Sequence, residues 1–204
     1  MSYKKTYSSN IPNEILSLRD SCREDGVPSA ERDTLNYLSL IVSIAKPKEV
    51  LEIGTARGAS GMTILNSFHG SFLTTIEKDE ESFDSAKNNF KDFGVSDRIK
   101  QFLGDAGDVI NYLDKKFDFI FLDGAKARYY DYLSDIKRLL NNGGVLFADN
   151  VLFRGYVDGE NKFDHREYTI VRNMRDFLSD ILNDKSFSCA IEDIGDGVLL
   201  ACKL

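Results

Sequence analysis

The chain has 204 residues, 42% of them hydrophobic and 29% charged, enough to bury the core of one globular domain without disulfide or metal staples. A formal charge of −7 gives no general electrostatic reason to approach nucleic acid, and no apolar run nears the roughly 20 residues needed to span a bilayer. Three scattered cysteines, Cys22, Cys189 and Cys202, and an N-terminus without an apolar signal segment lead us to expect reduced thiols in a cytoplasmic protein that does not enter a membrane.

In chain order, the first ~45 residues read as two amphipathic helices. One starts after Pro12 with Ile15, Leu16 and Leu18 inward. The other starts near Ser29 as N-cap, has Glu31 in its first turn, and carries Leu35, Leu38, Ile41 and Val42. From residue 46 onward, strand candidates alternate with helical patterns. The strands are Glu49–Ile53, Phe72–Glu77, Ile99–Leu103, Phe117–Asp123 and Gly144–Asp149, and the helices include Glu80–Phe93 and Tyr129–Leu140. This alternation predicts an α/β fold, a parallel sheet with helices on both faces. A helix over Thr169–Leu182 then precedes two runs, Phe187–Ile194 and Val198–Lys203, joined by Gly195-Asp196-Gly197. They read as an antiparallel hairpin at the sheet edge. With no repeat or linker, residues 1–204 form one expected domain: N-terminal helices over 1–45 and an α/β core over 46–204.

Gly54, Gly58 and Gly61 follow the first strand of the core, where the backbone must turn toward a helix and can approach a ligand closely. The spacing G-x-x-x-G-x-x-G does not fit the dinucleotide fingerprint, which argues for a mononucleoside rather than a pyrophosphate ligand. Glu77 ends the next strand and is placed to accept from ribose hydroxyls. Asp105, in Gly104-Asp105-Ala106, suits both a helix N-cap and an acceptor for an adenine amino group.

Asp123 ends one very apolar strand and Asp149-Asn150 ends the next. If those strands are neighbours, two carboxylates and an amide converge without His or Cys, a set suited to Mg²⁺ first, then Ca²⁺ or Mn²⁺. Strand-end Asp and Asn also cap turns. Lys126, three residues after Asp123, would lie beside the cation and is a candidate base for a hydroxyl whose acidity the metal raises.

Together these segments resemble the metal-dependent O-methyltransferases of the catechol and caffeoyl-CoA type. VLEIGTARGAS (50–60), IEKD (76–79), GDA (104–106), FIFLDGAKARY (119–129), GGVLFADNVLFRGYV (143–157) and the closing GDGVLLACK carry the likeness. The resemblance implies a Rossmann-like seven-stranded methyltransferase fold whose last strand is antiparallel. It implies S-adenosylmethionine contacts from Gly54, Ser60, Glu77, Asp105, Ala106 and Asp123, a metal held by Asp123, Asp149 and Asn150, and Lys126 as base. A homodimer is also implied. Ala59 stands where the family usually has an aromatic residue, and Pro28–Asp33 departs from its usual segment.

DNVLFRGYV is most like bacterial members that methylate 5-hydroxyuridine at the tRNA wobble position. We therefore expect 5-hydroxyuridine in a tRNA anticodon loop as acceptor, its phosphates gripped by Arg154, Arg166 and Arg172, with Lys162, His165 and Arg175 in the same stretch. A small catechol, a phenol or a caffeoyl-CoA-like ring is the alternative, and interleaved Asp158, Glu160, Asp164 and Glu167 fit an ordinary solvated lid. The intact Asp/Lys/Asp-Asn set argues against an inactive binding module.

Overall fold

The computed structural model describes residues 10–204. Pro12, with φ −55°, leads into helix α1 (Asn13–Glu24), which buries Ile15, Arg19 and Cys22. Ile15 is inward as expected, but Leu16 and Leu18 are only half-buried. Arg19 takes an inward place because its guanidinium donates to the Ala30 carbonyl at 2.9 Å and pairs with Asp20 at 3.0 Å. Helix α2 (Arg32–Ala45) starts later than expected, with Glu31 rather than Ser29 at the cap.

A seven-stranded sheet follows: β1 (Glu49–Ile53), β2 (Phe72–Glu77), β3 (Ile99–Leu103), β4 (Phe117–Leu122), β5 (Leu140–Ala148), β6 (Phe187–Glu192) and β7 (Val198–Lys203). Between them run α3 (Ala59–Ser67), α4 (Glu80–Asp92), α5 (Ala106–Tyr112), α6 (Tyr129–Leu139) and α7 (Tyr168–Asn183). The spatial order is β3-β2-β1-β4-β5-β7-β6. The pairs from β3 through β5 are parallel, while β7 runs antiparallel to both β5 and β6. The Rossmann-like architecture with an antiparallel C-terminal hairpin is thus as expected. Strand β5 begins at Leu140, four residues before the expected start at Gly144.

Each face of the sheet carries its own core. Ile15, Leu35, Leu38, Val42, Leu65 and Phe90 pack one side, from α1 to α4. Ile110, Tyr129, Ile136, Met174, Phe177 and Ile181 pack the other, from α5 to α7. The order reverses between β1 and β4, because the chain winds outward through β2 and β3 before returning. Crevices at such switch points, beyond the carboxyl ends of the strands, are where open α/β sheets bind ligands. Among the described residues, no helix is long and apolar enough to cross a membrane.

Candidate active site

A cavity of about 620 Å³ opens at that switch point. It is lined by the glycine loop after β1, the ends of β2 and β4, the start of α5, and residues 26–30 between α1 and α2. The loop is glycine-dependent in a direct sense. Gly54 has φ +99°, and a Cβ there would run into the Asp123 backbone. The glycine therefore lets the ends of β1 and β4 close up under the cavity. Gly58, at φ +95°, caps α3.

Of the residues expected to hold a nucleoside, Gly54, Ser60, Glu77, Asp105, Ala106 and Asp123 all line this one cavity, as does Lys126. Glu77 is held rigidly: Oε2 accepts the Ala56 N–H at 2.8 Å and Oε1 accepts those of Lys78 and Asp79 at 2.8 and 2.9 Å. Asp105 caps α5 by accepting the Gly107 N–H at 2.9 Å, and Arg128 lies 3.7 Å from its other oxygen. The cap and a ligand-facing position are compatible here.

Strands β4 and β5 are adjacent, and Leu122 pairs with Ala148, so Asp123 and Asp149 leave the sheet side by side. Tyr129, fully buried at the start of α6, ties both ends down by sharing its hydroxyl between the carbonyls of Leu122 and Asp149, each at 3.1 Å. Asp149 is wholly buried. Its Oδ1 accepts the Asn150 N–H at 2.8 Å and the Thr34 hydroxyl at 3.4 Å, while Oδ2 is buried with no partner. Burial, and then the charge of Asp123, pushes the Asp149 carboxyl well above the usual range. Burial also pushes Asp123 up to about 6, with Lys126 drawing it back. An uncompensated buried carboxylate oxygen is costly, and such clusters mark functional sites.

Asn150 sits at φ +57°, and Phe153 and Arg154 are also left-handed at +43° and +59°. The Gly195–Gly197 turn holds this stretch: Val151 N–H donates to the Gly197 carbonyl at 2.9 Å, Leu152 N–H to that of Asp196 at 3.0 Å, and Arg154 N–H to Asp196 Oδ1 at 2.5 Å. Arg154, Lys162, His165, Arg166 and Arg172 are exposed. Arg175 is committed to the carbonyls of Val157 and Tyr156, at 2.8 and 3.0 Å.

Four residues around the site were not anticipated as parts of it. Thr34 reaches Asp149 across 115 positions of sequence; no local pattern signals that contact. Tyr129 and Asp196 act through backbone carbonyls and N–H groups. Glu52 lies buried beneath Ser60 and did leave a signal, an acid inside the apolar run Val50-Leu51-Glu52-Ile53.

The O-methyltransferase family matches residues 13–204. A provisionally named O-methyltransferase of Mycobacterium marinum is 29% identical over 192 residues, covering 93% of this chain and 84% of the relative. Among solved structures, a protein of Staphylococcus aureus provisionally named a caffeoyl-CoA O-methyltransferase superposes with a TM-score of 0.86 at 27% identity. The match covers 97% of this chain and 93% of that one. A methyltransferase of Podospora anserina solved with S-adenosylhomocysteine gives 0.86 at 26% identity, covering 97% and 90%. The chain belongs to the O-methyltransferase family, and its enzyme class is that of the S-adenosylmethionine-dependent O-methyltransferases.

Proposed function

We propose that this cavity binds S-adenosylmethionine through Gly54, Ser60, Glu77, Asp105, Ala106 and Asp123, and that methyl transfer goes to a hydroxyl held at Asp123, Asp149 and Asn150. One observation carries the second half: Asp149 Oδ2, buried and unpartnered beside a second carboxyl. A divalent cation compensates such a pair. Mg²⁺, or Ca²⁺ or Mn²⁺, suits two carboxylates and an amide oxygen. Among the described residues, no cluster of three or more His, Cys, Asp or Glu forms a metal site, so the third donor would be the Asn150 amide. When bound, the cation supplies Lewis acidity that lowers the pKa of a chelated hydroxyl.

The protein's own residues do the rest. Lys126, which lines the cavity and bears electrostatically on both Asp123 and Asp149, would act as the neutral amine, the form that an adjacent dication favours, and take the acceptor's proton as general base. The methyl then passes from the sulfonium to the oxygen in one in-line displacement: the S–CH₃ bond breaks, an O–CH₃ bond forms, and the sulfur leaves neutral. Glu77 and Asp105, fixed by backbone N–H donors, orient the nucleoside. Positioning of this kind supplies roughly 7–11 kcal/mol in well-oriented reactions.

For the acceptor we infer 5-hydroxyuridine in a tRNA anticodon loop, giving 5-methoxyuridine. The exposed Arg154 within the strained loop, and Arg166 and Arg172 after it, support that choice, since cations there can grip phosphates on an otherwise acidic protein. A catechol, phenol or caffeoyl-CoA-like acceptor is the second reading, favoured by the name of the S. aureus neighbour. Mass spectrometry of tRNA nucleosides from cells lacking the protein separates them. Accumulated 5-hydroxyuridine is the expected result, and an unchanged nucleoside profile would move the assignment to small phenols.

A further inference from the structure

Thr34 lies in the first turn of α2, has no solvent exposure, and sends its hydroxyl across the sheet to Asp149 Oδ1 at 3.4 Å. Other helical hydroxyls in this protein make a more local bond. Ser43, Thr63 and Ser67 each turn back and donate to the carbonyl four residues earlier, at 2.7–2.8 Å, a bond open to any serine or threonine inside a helix. For Thr34 that carbonyl belongs to Ala30, and the Arg19 guanidinium already donates to it at 2.9 Å. Room for the hydroxyl is kept from the other side as well. Gly195 stands at φ +58°, and a Cβ there would come within 2.7 Å of Thr34 Oγ1. Helices α1 and α2 and the turn between β6 and β7 thus converge on one hydroxyl and aim it at one carboxylate.

That carboxylate is held unevenly. Oδ1 accepts the Asn150 N–H at 2.8 Å and the Thr34 hydroxyl, while Oδ2 is buried with no partner. The Asn150 donor belongs to the next residue of the chain, so it moves with Asp149 and is a poor anchor for the carboxyl plane. Thr34, from a separate element, supplies the independent anchor. Both donors fall on the same oxygen, which leaves Oδ2 as the one free to meet a ligand.

We propose that Thr34 is a positioning residue for the divalent-cation site, its hydroxyl locking the Asp149 carboxylate in the orientation that offers Oδ2 to the metal. This rests on the reading of Asp123, Asp149 and Asn150 as the metal-binding residues. Groups that hold a metal ligand from behind change affinity by roughly 10–100-fold when they are lost. A reach of 3.4 Å is long for a hydroxyl donor, so the expected loss is at the lower end, about tenfold. The two hard cations should not suffer alike. Mg²⁺ demands near-octahedral geometry, whereas Ca²⁺ accepts variable and bidentate carboxylates. A carboxylate free to rotate therefore loses more affinity for Mg²⁺ than for Ca²⁺.

The test uses the full-length protein, titrated calorimetrically with MgCl₂, with CaCl₂ and, in EDTA, with S-adenosylhomocysteine. Thr34→Val keeps the shape and removes the donor. It should weaken Mg²⁺ about tenfold, weaken Ca²⁺ by no more than about threefold, and leave adenosylhomocysteine affinity as in the wild type. Thr34→Ser restores the donor and should recover the wild-type ratio of Mg²⁺ to Ca²⁺ affinity. Damage that is merely structural would lower both cations and adenosylhomocysteine together. Unchanged Mg²⁺ affinity in Thr34→Val, equal losses for the two cations, a parallel loss of adenosylhomocysteine, or no recovery in Thr34→Ser each overturn the proposal alone. A wild type that binds adenosylhomocysteine but neither cation overturns the metal reading and the proposal with it. Should Thr34→Val fail to fold, Thr34→Ala carries the same test, and a wild-type ratio of the two cation affinities in that variant overturns the proposal.

Discussion

Replacing Asp149 by asparagine should stabilise the metal-free protein while destroying its function. Asp123, the more exposed of the two acids, is pushed from 3.8 to about 6, a shift of roughly 2 units. At about 1.4 kcal/mol per unit, keeping it ionised at pH 8 costs the fold about 3 kcal/mol. Asp149 is fully buried and feels Asp123 in addition, so its own cost is no smaller. Asparagine keeps the shape and removes the charge, at the expense of an amide that needs a partner. A net gain of about 2 kcal/mol corresponds, for a domain of this size, to roughly 4–8 °C in Tm. The sign with pH follows from the direction of the shifts. Folded pKa values above the unfolded ones mean that the native state binds more protons, so stability falls as pH rises from about 4 through 6, and goes on falling as the strongly raised Asp149 ionises. The advantage of Asp149→Asn should therefore be large at pH 8 and shrink at pH 5. Scanning calorimetry in EDTA measures it, and added Mg²⁺ should raise the wild-type Tm alone, because a ligand bound only to the native state stabilises it. A variant that melts at or below the wild type at both pH values would refute the reasoning.

Lys126→Ala should lower the rate of methyl transfer by 10²–10⁴-fold, the usual range for one general base, and leave adenosylhomocysteine affinity intact by calorimetry. An unaltered pH–rate profile would remove its role. Tyr129→Phe leaves the carbonyls of Leu122 and Asp149 without their shared donor and should cost about 1–3 kcal/mol by denaturant unfolding. Triple substitution of Arg154, Arg166 and Arg172 by alanine should weaken binding to an anticodon stem-loop RNA and flatten its salt dependence, with turnover of a small catechol untouched. Equal RNA binding by the triple variant would dismiss the phosphate grip.

The residues that were easiest to read are those whose chemistry contradicts their setting. Asp123 and Asp149-Asn150 stand at the ends of long apolar runs, and the glycine loop follows the first of the core strands, so the end of the sheet that carries the site was legible in the sequence. Elements that depend on tertiary packing were not. Ser29 satisfies the usual N-cap preference, yet α2 starts at Arg32, while Arg19 from α1 holds the Ala30 carbonyl in the preceding stretch. Helix α5 spans seven residues, too few for apolar periodicity to register. Thr34 reaches Asp149 only because α2 packs across the sheet. Glu52 was visible as an acid in a buried strand, but its meaning comes from Ser60 and Thr75, which only the fold brings to it.

The most direct test of the central claim is the release of S-adenosylhomocysteine from labelled adenosylmethionine, with 5-hydroxyuridine-containing tRNA and with a catechol in parallel. It is run in EDTA and then with Mg²⁺ restored, for wild type and for Asp149→Ala. The account predicts turnover of one acceptor that is lost in EDTA, recovered with Mg²⁺, and absent from Asp149→Ala even though that variant still binds adenosylhomocysteine. Turnover that resists EDTA and survives Asp149→Ala would contradict it.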